Sequence, residues 1–216
     1  MIYFDLLCIV ILIILLFILT SIKIEPFSHH IKNFNYLNFE NLKTGDLIFL
    51  SGNTYGENIV KILSNSKFSH VGMVIKIDNH TYLWECDIGQ NKKTGVRVIY
   101  LDEKLRSYKG SNIIAIRRIN KKVVDNIEDF NDKLSNIVST QINKNFDQEM
   151  YVWISDFFGR EKNTMFCSEL IAYTLHHLGL LKLDKKYFQY SPQDFLSTDF
   201  TNEGKKLYSQ PEFFIF

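Results

Sequence analysis

TMFCSELIAYTLHHLG, residues 164 to 179, combines a helical apolar pattern with a cysteine. The pattern places Cys167 on one face with five other residues: Leu170, Ile171, Thr174, Leu175 and Leu178. With Thr164 as the N-cap and Gly179 as the residue that ends the helix, Cys167 is the third helical residue. A thiol in the first helical turn meets the positive end of the helix dipole, which favours the thiolate. Cys167 is therefore a candidate nucleophile, with a buried structural cysteine as the alternative.

A histidine far upstream is the candidate base for this thiol. The segment FSHVGMVI, residues 68 to 75, predicts a buried strand that begins near His70. A neighbouring imidazole accepts the proton of a thiol and stabilises the resulting thiolate. The chain thus offers a histidine–cysteine pair in which the histidine comes first.

The strand of His70 predicts a hairpin that supplies a third candidate. A two-residue loop at Asp78-Asn79 joins it to the strand TYLWEC, residues 81 to 86. In that register His70, Glu85 and Asp87 project to the same face of the sheet, because side chains alternate along a strand. We expect Glu85, which has the inner position, to orient the imidazole; Asp87 is the rival, and a merely solvated carboxylate is the other alternative.

The remaining elements indicate an α+β fold in one domain. Strands are predicted at residues 45–52, 96–101 and 112–119, and a short helix at 56–66. A long amphipathic helix is predicted from one apolar stripe: Val123, Ile127, Phe130, Leu134, Ile137 and Val138. A strand-rich middle flanked by helices is typical of the α+β class.

The overall composition excludes some classes of function. The 216 residues include 25 Lys and Arg against 24 Asp and Glu, so no basic surface for nucleic acid is indicated. Three cysteines cannot all pair within the chain, and no disulfide framework is implied. The adjacent His29 and His30 do not share a face and lack further ligands, so neither a metal nor another cofactor is expected.

The N-terminal region predicts a membrane anchor. Residues 6 to 22 carry no charge, and with the preceding residues they approach the length of a transmembrane helix. A cleaved signal peptide is the alternative, but a basic start and a small-residue cleavage site are missing. We therefore expect an anchor at residues 1–24, a linker at 25–40 and a catalytic domain at 41–216. Lys23 and Lys32 after the span favour a cytoplasmic domain.

Six short motifs resemble those of a known family. In chain order they are Gly45-Asp46-Leu47-Ile48, Ser69-His70-Val71-Gly72, Trp84-Glu85-Cys86, Asn145-Phe146-Asp147, Phe166-Cys167-Ser168-Glu169-Leu170 and Ser191-Pro192-Gln193-Asp194. They are similar to the circularly permuted branch of the NlpC-like, papain-like cysteine hydrolases, which includes bacterial peptidases of the YiiX type and a poxviral family. The resemblance covers about residues 41 to 196. It departs from the family at Cys86, where a small residue is common, and at Phe146, which replaces a tyrosine.

The resemblance implies a circularly permuted papain-like core with an antiparallel sheet packed on helices. It implies Cys167 as nucleophile, His70 as base and Glu85 as orienter in a hydrolase that cleaves peptide or other amide bonds through an acyl-enzyme. One alternative is a lipid acyltransferase or phospholipase of a related permuted fold. The other is a catalytically silent membrane protein that uses its pocket for binding or assembly.

Other residues in these motifs have structural interpretations. Asp46 is expected to cap a turn, Glu169 to favour the helix dipole, and Cys86 to lie in the core. His176 and His177 lie at the far end of the Cys167 helix, about 13 to 15 Å away at the usual rise, so they cannot serve as its base.

Overall fold

The fold was analysed in a computed structural model, which describes residues 31–33, 38–88, 94–107, 113–124, 127–146, 164–202 and 204–215. Seven strands form one sheet in the order β1-β11-β6-β2-β3-β4-β5. These strands are β1 (Ile31–Asn33), β2 (Leu47–Leu50), β3 (His70–Ile77), β4 (His80–Ile88), β5 (Thr94–Tyr100), β6 (Ile113–Arg117) and β11 (Glu212–Ile215). Two-stranded pairs are formed by β7 (Asn145–Phe146) with β8 (Thr164–Met165), and by β9 (Thr201–Asn202) with β10 (Lys205–Lys206). The described elements belong to the predicted α+β class.

The sheet is almost entirely antiparallel, as predicted, but its outer edge is not. There β1 runs parallel to β11, with Ile31 opposite Phe213. This strand lies within the predicted linker at residues 25–40, and its partner is close to the C-terminus. Neither strand was expected, because strands of three and four residues are too short to show an alternating pattern.

Five α-helices are described: α1 (Tyr55–Leu63), α2 (Leu101–Ser107), α3 (Ile127–Gln141), α4 (Cys167–His177) and α5 (Pro192–Ser197). The predicted long helix is α3, but the expectation that it includes Val123 is wrong. Val123 is buried in a turn before the helix, where its N–H donates to the Asn120 carbonyl. Val123 fits the helical spacing although it packs on the core from a turn. The apolar pattern therefore predicted a helix that begins too early.

The predicted hairpin is confirmed in its register. Ile77 pairs with His80, and both loop residues adopt positive φ angles, 45° at Asp78 and 65° at Asn79. This backbone matches the type I′ turn that joins twisted strands, and Asp and Asn tolerate it better than most residues. Continued to the other end of the hairpin, the register places Gly72 opposite Glu85.

The central strands bury both of their faces. Val71 and Met73 of β3 contribute to a core shared with α3, α4 and α5, while Val74 belongs to a smaller core with Leu101 and Leu105 of α2. The strand alternation therefore directs one set of side chains toward α4 and the other toward α2.

Helix α4 begins later than predicted. Its N-cap is Phe166, so Cys167 is the first helical residue rather than the third. Thr164, the expected N-cap, is in β8, where it pairs with Asn145. The Phe166 N–H donates to the Glu169 carboxylate at 3.2 Å, so a side chain from within the helix satisfies this donor instead. The predicted end of the helix is confirmed.

That end is a Schellman motif. Gly179 has a φ of 73° and its N–H donates to the His176 carbonyl, while the Leu180 N–H donates to the Leu175 carbonyl. The helix is therefore fixed at both ends, with Cys167 at its N-terminus.

Asp46 has the expected structural role. Its buried carboxylate accepts N–H groups from Lys43 and Ile119, both at 2.9 Å, and pairs with Arg118 at 3.2 Å. These contacts fix the turn before β2 to the segment after β6. The carboxylate is fully used by the scaffold.

The predicted anchor at residues 1–24 lies outside the described residues. Within the ranges given above, no helix is long and apolar enough to cross a bilayer. Membrane attachment therefore stays a prediction.

Candidate active site

His70 and Glu85 meet inside the domain. His70 is the first residue of β3, and its Nε2 atom lies 2.8 Å from Glu85 Oε2. Both side chains are buried, at 4% and 0% exposure. Because Nε2 faces the carboxylate, Nδ1 is the ring nitrogen left for another partner.

Cys167 contacts the same imidazole. A side-chain hydrogen bond with Cys167 is among the interactions that raise the pKa of His70. Since Cys167 is the first residue of α4, its backbone N–H has no acceptor within the helix. The structure thus brings together the three side chains predicted from the sequence, in the order Cys167, His70, Glu85.

The charges around His70 favour its protonated form. Burial lowers the pKa of His70, and the nearby Lys104 charge lowers it further. The negative charge of Asp87 and the hydrogen bonds with Cys167 and Glu85 act in the opposite direction. The net effect raises the pKa of His70 to about 10, which favours the imidazolium.

Two basic residues that the sequence analysis did not identify hold Glu85. Arg97 donates to Glu85 Oε1 through Nε at 2.9 Å and through a terminal nitrogen at 2.7 Å. Lys104 Nζ lies 2.8 Å from Glu85 Oε2 and also donates to Asp87. Burial alone would raise the pKa of Glu85, but the Lys104 charge and the His70 contact outweigh it and hold that pKa well below its usual range. Glu85 is therefore a carboxylate.

A weak sequence signal existed for each of these cations. Arg97 lies directly opposite Glu85 on β5, so the strand register alone would have paired them. Lys104 follows Leu101 by three residues, which places it on the same side of α2 as that buried leucine. Either signal can be used only after β5 and α2 are known to be the neighbours of β4.

Asp87 is not merely a solvated carboxylate, which was one of the alternatives left open by the sequence. It accepts from Lys104, and a terminal nitrogen of Arg97 lies 3.8 Å from its Oδ2 atom. Its contact with Lys104 couples it to Glu85, but it is Glu85 that bonds the His70 ring. Of the two carboxylates, Glu85 is therefore the one in contact with the imidazole.

The site does not fit a metal ion. Potential ligand atoms of His70, Glu85 and Asp87 lie within 4.8 Å of one another. The Lys104 ammonium already bridges both carboxylates, however, and Arg97 covers the remaining oxygen of Glu85. A divalent cation would have to approach these two positive charges, which opposes binding.

Replacing Lys104 with methionine should lower the free energy of unfolding by about 3 kcal/mol, because it removes one partner from a buried charge cluster while keeping the apolar stem. Urea denaturation measures this. The control is Lys133→Met, which breaks a half-exposed pair with Asp129 and should cost less than about 0.5 kcal/mol. Equal effects of the two substitutions would contradict the assignment of Lys104 to the cluster.

The raised pKa of His70 also predicts a pH dependence. A group with a raised folded-state pKa stabilises the fold fully below its unfolded pKa, about 6.5, and the stabilisation is lost as pH rises through the folded-state value. The difference in unfolding free energy between the parent and His70→Gln should therefore shrink as pH rises from about 6.5 to about 10. Urea titrations below and above this range, on both proteins, cancel the titration of lysines and tyrosines. A constant difference would show that His70 is not protonated in the folded state.

Other motif residues lie where the sequence placed them. Cys86 is buried in the core, its Sγ atom contacts the Met165 carbonyl oxygen at 3.1 Å, and burial raises the pKa of its thiol. Ser191 caps α5, with Pro192 in its first turn. Asp147 lies outside the described residues.

Comparison with known proteins identifies the family of this chain. The model of a family described as permuted papain-like amidase enzymes of the YaeF and YiiX type matches residues 41–203. A similar solved structure is described as the metalloprotein yiiX from Escherichia coli O157:H7, with 17% identity and a TM-score of 0.49 over 63% of this chain and 66% of that one. The chain thus spans just under two thirds of that protein's length. No curated protein is significantly similar in sequence. Because the family match covers most of the chain, the protein belongs to the permuted papain-like amidases of the YaeF and YiiX type.

Proposed function

We propose that the protein is a thiol hydrolase that cleaves an amide or peptide bond, with Cys167 as nucleophile, His70 as acid and base, and Glu85 as orienter. The observation that supports it is the buried series of contacts from the Cys167 thiol through the His70 ring to the Glu85 carboxylate. Arg97 and Lys104 keep that carboxylate charged. If His70 and Glu85 formed only a structural ion pair, a thiol in contact with the imidazole would not be required.

In the proposed reaction, the proton of the Cys167 thiol resides on His70, so that a thiolate and an imidazolium form the resting pair, and the thiolate attacks the carbonyl carbon of the substrate. The C–N bond then breaks, and the leaving amine takes the proton from the imidazolium, so a thioester remains on Cys167 and His70 is neutral. His70 then takes a proton from water as the water attacks the thioester, the C–S bond breaks, and the acid leaves with the thiolate–imidazolium pair restored.

The protein's own groups stabilise the charges that develop. The backbone N–H of Cys167, at the free end of α4, is positioned to donate to the oxyanion. Glu85 holds the ring through Nε2, which directs Nδ1 toward the sulfur.

We also propose that residues 1–24 anchor this enzyme in a membrane. The support is the uncharged run at residues 6–22. The full chain should remain with the membrane fraction after a carbonate wash, and a chain that lacks residues 1–24 should be released. Release of the full chain would contradict the anchor.

The proposed activity is tested by profiling the full chain against paired libraries of peptide amides and phospholipids. Turnover of an amide, absent in Cys167→Ala, supports the amidase. Turnover of phospholipids alone would favour the related lipid acyltransferases. The silent alternative predicts no turnover and no preferential labelling of Cys167 by iodoacetamide near neutral pH.

A further inference from the structure

Helix α1 has its polar side toward the protein, the reverse of the usual arrangement in a surface helix. Two of its polar side chains bond to the segment just before the helix: Lys61 donates to the Gly52 carbonyl at 2.6 Å, and the Glu57 carboxylate accepts the Thr54 N–H at 2.8 Å. None of its nine residues is buried. The polar side thus faces the protein, which leaves the apolar side for the surroundings.

The outward side of α1 is a contiguous apolar face, made by Tyr55, Ile59, Ile62 and Leu63, which recur at helical spacing. Tyr55 is 82% exposed, Ile62 42% and Leu63 48%. Of the seven exposed large hydrophobic side chains in the described residues, three belong to this one helix. A grouped apolar surface of this kind marks an interaction site more often than scattered residues do.

This apolar face adjoins the candidate active site. Helix α1 connects the end of β2 to the start of β3, where Leu50 pairs with His70. The Gly52 N–H donates to the Ser69 hydroxyl at 3.0 Å, which fixes the connecting loop beside His70. Whatever covers the face of α1 is therefore brought to the edge of the site.

The strand register shows that a bilayer can reach this face. Ile31 of β1 lies in the same cross-strand row as Val71, through Phe213, Ala115 and Phe49. Four strand spacings separate β1 from β3, about 19 Å. Residues 23–30, which connect the uncharged run at 6–22 to Ile31, span at most about 28 Å when extended. A bilayer that holds the run is within reach of the active-site end of the sheet.

The composition of α1 also suits a bilayer. Its apolar residues are aliphatic except for Tyr55 at the first position, and tyrosine is enriched at membrane interfaces. The capping box of Thr54 and Glu57 fixes the start of the helix, so the face is formed before it binds.

We propose that the outward face of α1 is a bilayer-docking surface that presents the Cys167 site to amide-linked acyl groups of membrane lipids. The proposal rests on the hydrolase proposed above and names the chemical class of its substrate. Docking itself requires the apolar face of α1 and a bilayer, and it does not require catalytic activity.

The first test separates docking from chemistry. The full chain is reconstituted in phosphatidylcholine vesicles that contain an N-acylphosphatidylethanolamine, and it is assayed with that lipid amide and with a soluble short-chain N-acyl amide. The charged variant Ile62→Glu/Leu63→Glu should lower turnover of the lipid amide at least about tenfold, since each side chain loses its transfer into the apolar phase, while turnover of the soluble amide is unchanged. The control is Ile77→Glu, which changes an equally exposed isoleucine at the opposite end of β3 and should have no effect. Equal turnover of the lipid amide by parent and variant overturns the proposal.

The second test does not depend on activity. The variants Ile62→Trp and Ile77→Trp are compared with the parent in vesicles whose acyl chains are brominated or unbrominated. Bromine should quench the added emission of Ile62→Trp and leave that of Ile77→Trp unchanged. Equal quenching in the two variants overturns docking. This outcome is also expected if another protein, rather than the bilayer, covers the face. If Ile62→Trp alone is quenched but the parent turns over neither substrate, docking stands and the proposed hydrolase fails.

Discussion

Replacing Cys167 with alanine should reduce turnover at least about thousandfold, because no other group in the described site can form the acyl-enzyme. The change removes one heavy atom at the first residue of α4, and the helix keeps its Glu169 contact and its Schellman end. The fold should therefore survive. Initial rates with the best amide substrate measure the loss, and circular dichroism with urea denaturation verifies the fold.

The matched control for this substitution is Cys86→Ala. Cys86 is also a buried free thiol, but it contacts the Met165 carbonyl and its thiol pKa is raised by burial. Its removal should leave turnover within about a few fold of the parent, because a thiol of this kind is inert. Full activity in Cys167→Ala, or equal losses in both variants, would remove Cys167 from the reaction.

Much of the site could be predicted because it depends on local rules. The two-residue loop at Asp78 and Asn79 fixes the hairpin register, and the alternation of side chains then places His70 and Glu85 on one face. The buried face of α4 follows from helical spacing in the same way. In each case the sequence itself carries the period that determines which side chains meet.

The parts that were missed depend on pairing between distant segments. Thr164 is a good N-cap by residue type, but its pairing with Asn145 places it in a strand. The two basic partners of Glu85 come from β5 and α2, and the sequence signals for their burial can be used only when those elements are known to be neighbours of β4. Lys104 is 2% exposed only because two carboxylates from β4 neutralise it.

Replacing Glu85 with glutamine should lower turnover by about a thousandfold, because an amide can face the ring but cannot stabilise its charged form and favours the wrong tautomer. The contacts explain why the isosteric change is severe. Glu85 Oε1 accepts from Arg97, and Oε2 from both His70 and Lys104, so either orientation of the amide directs its NH2 group at a donor. The fold should lose about 3 kcal/mol for the same reason, so rates must be measured on protein shown to be folded.

Asp87→Asn is the matched control for Glu85→Gln, since it removes one carboxylate from the same strand and the same charge cluster. The asparagine carbonyl can still accept from Lys104, and Glu85 still holds the His70 ring. We therefore expect less than about a tenfold loss of turnover, because the lost charge acts on the imidazole without bonding it. Rates of both variants, compared with the parent at neutral pH, determine the order. A larger loss for Asp87→Asn than for Glu85→Gln would mean that Asp87, rather than Glu85, supports the imidazole during the reaction.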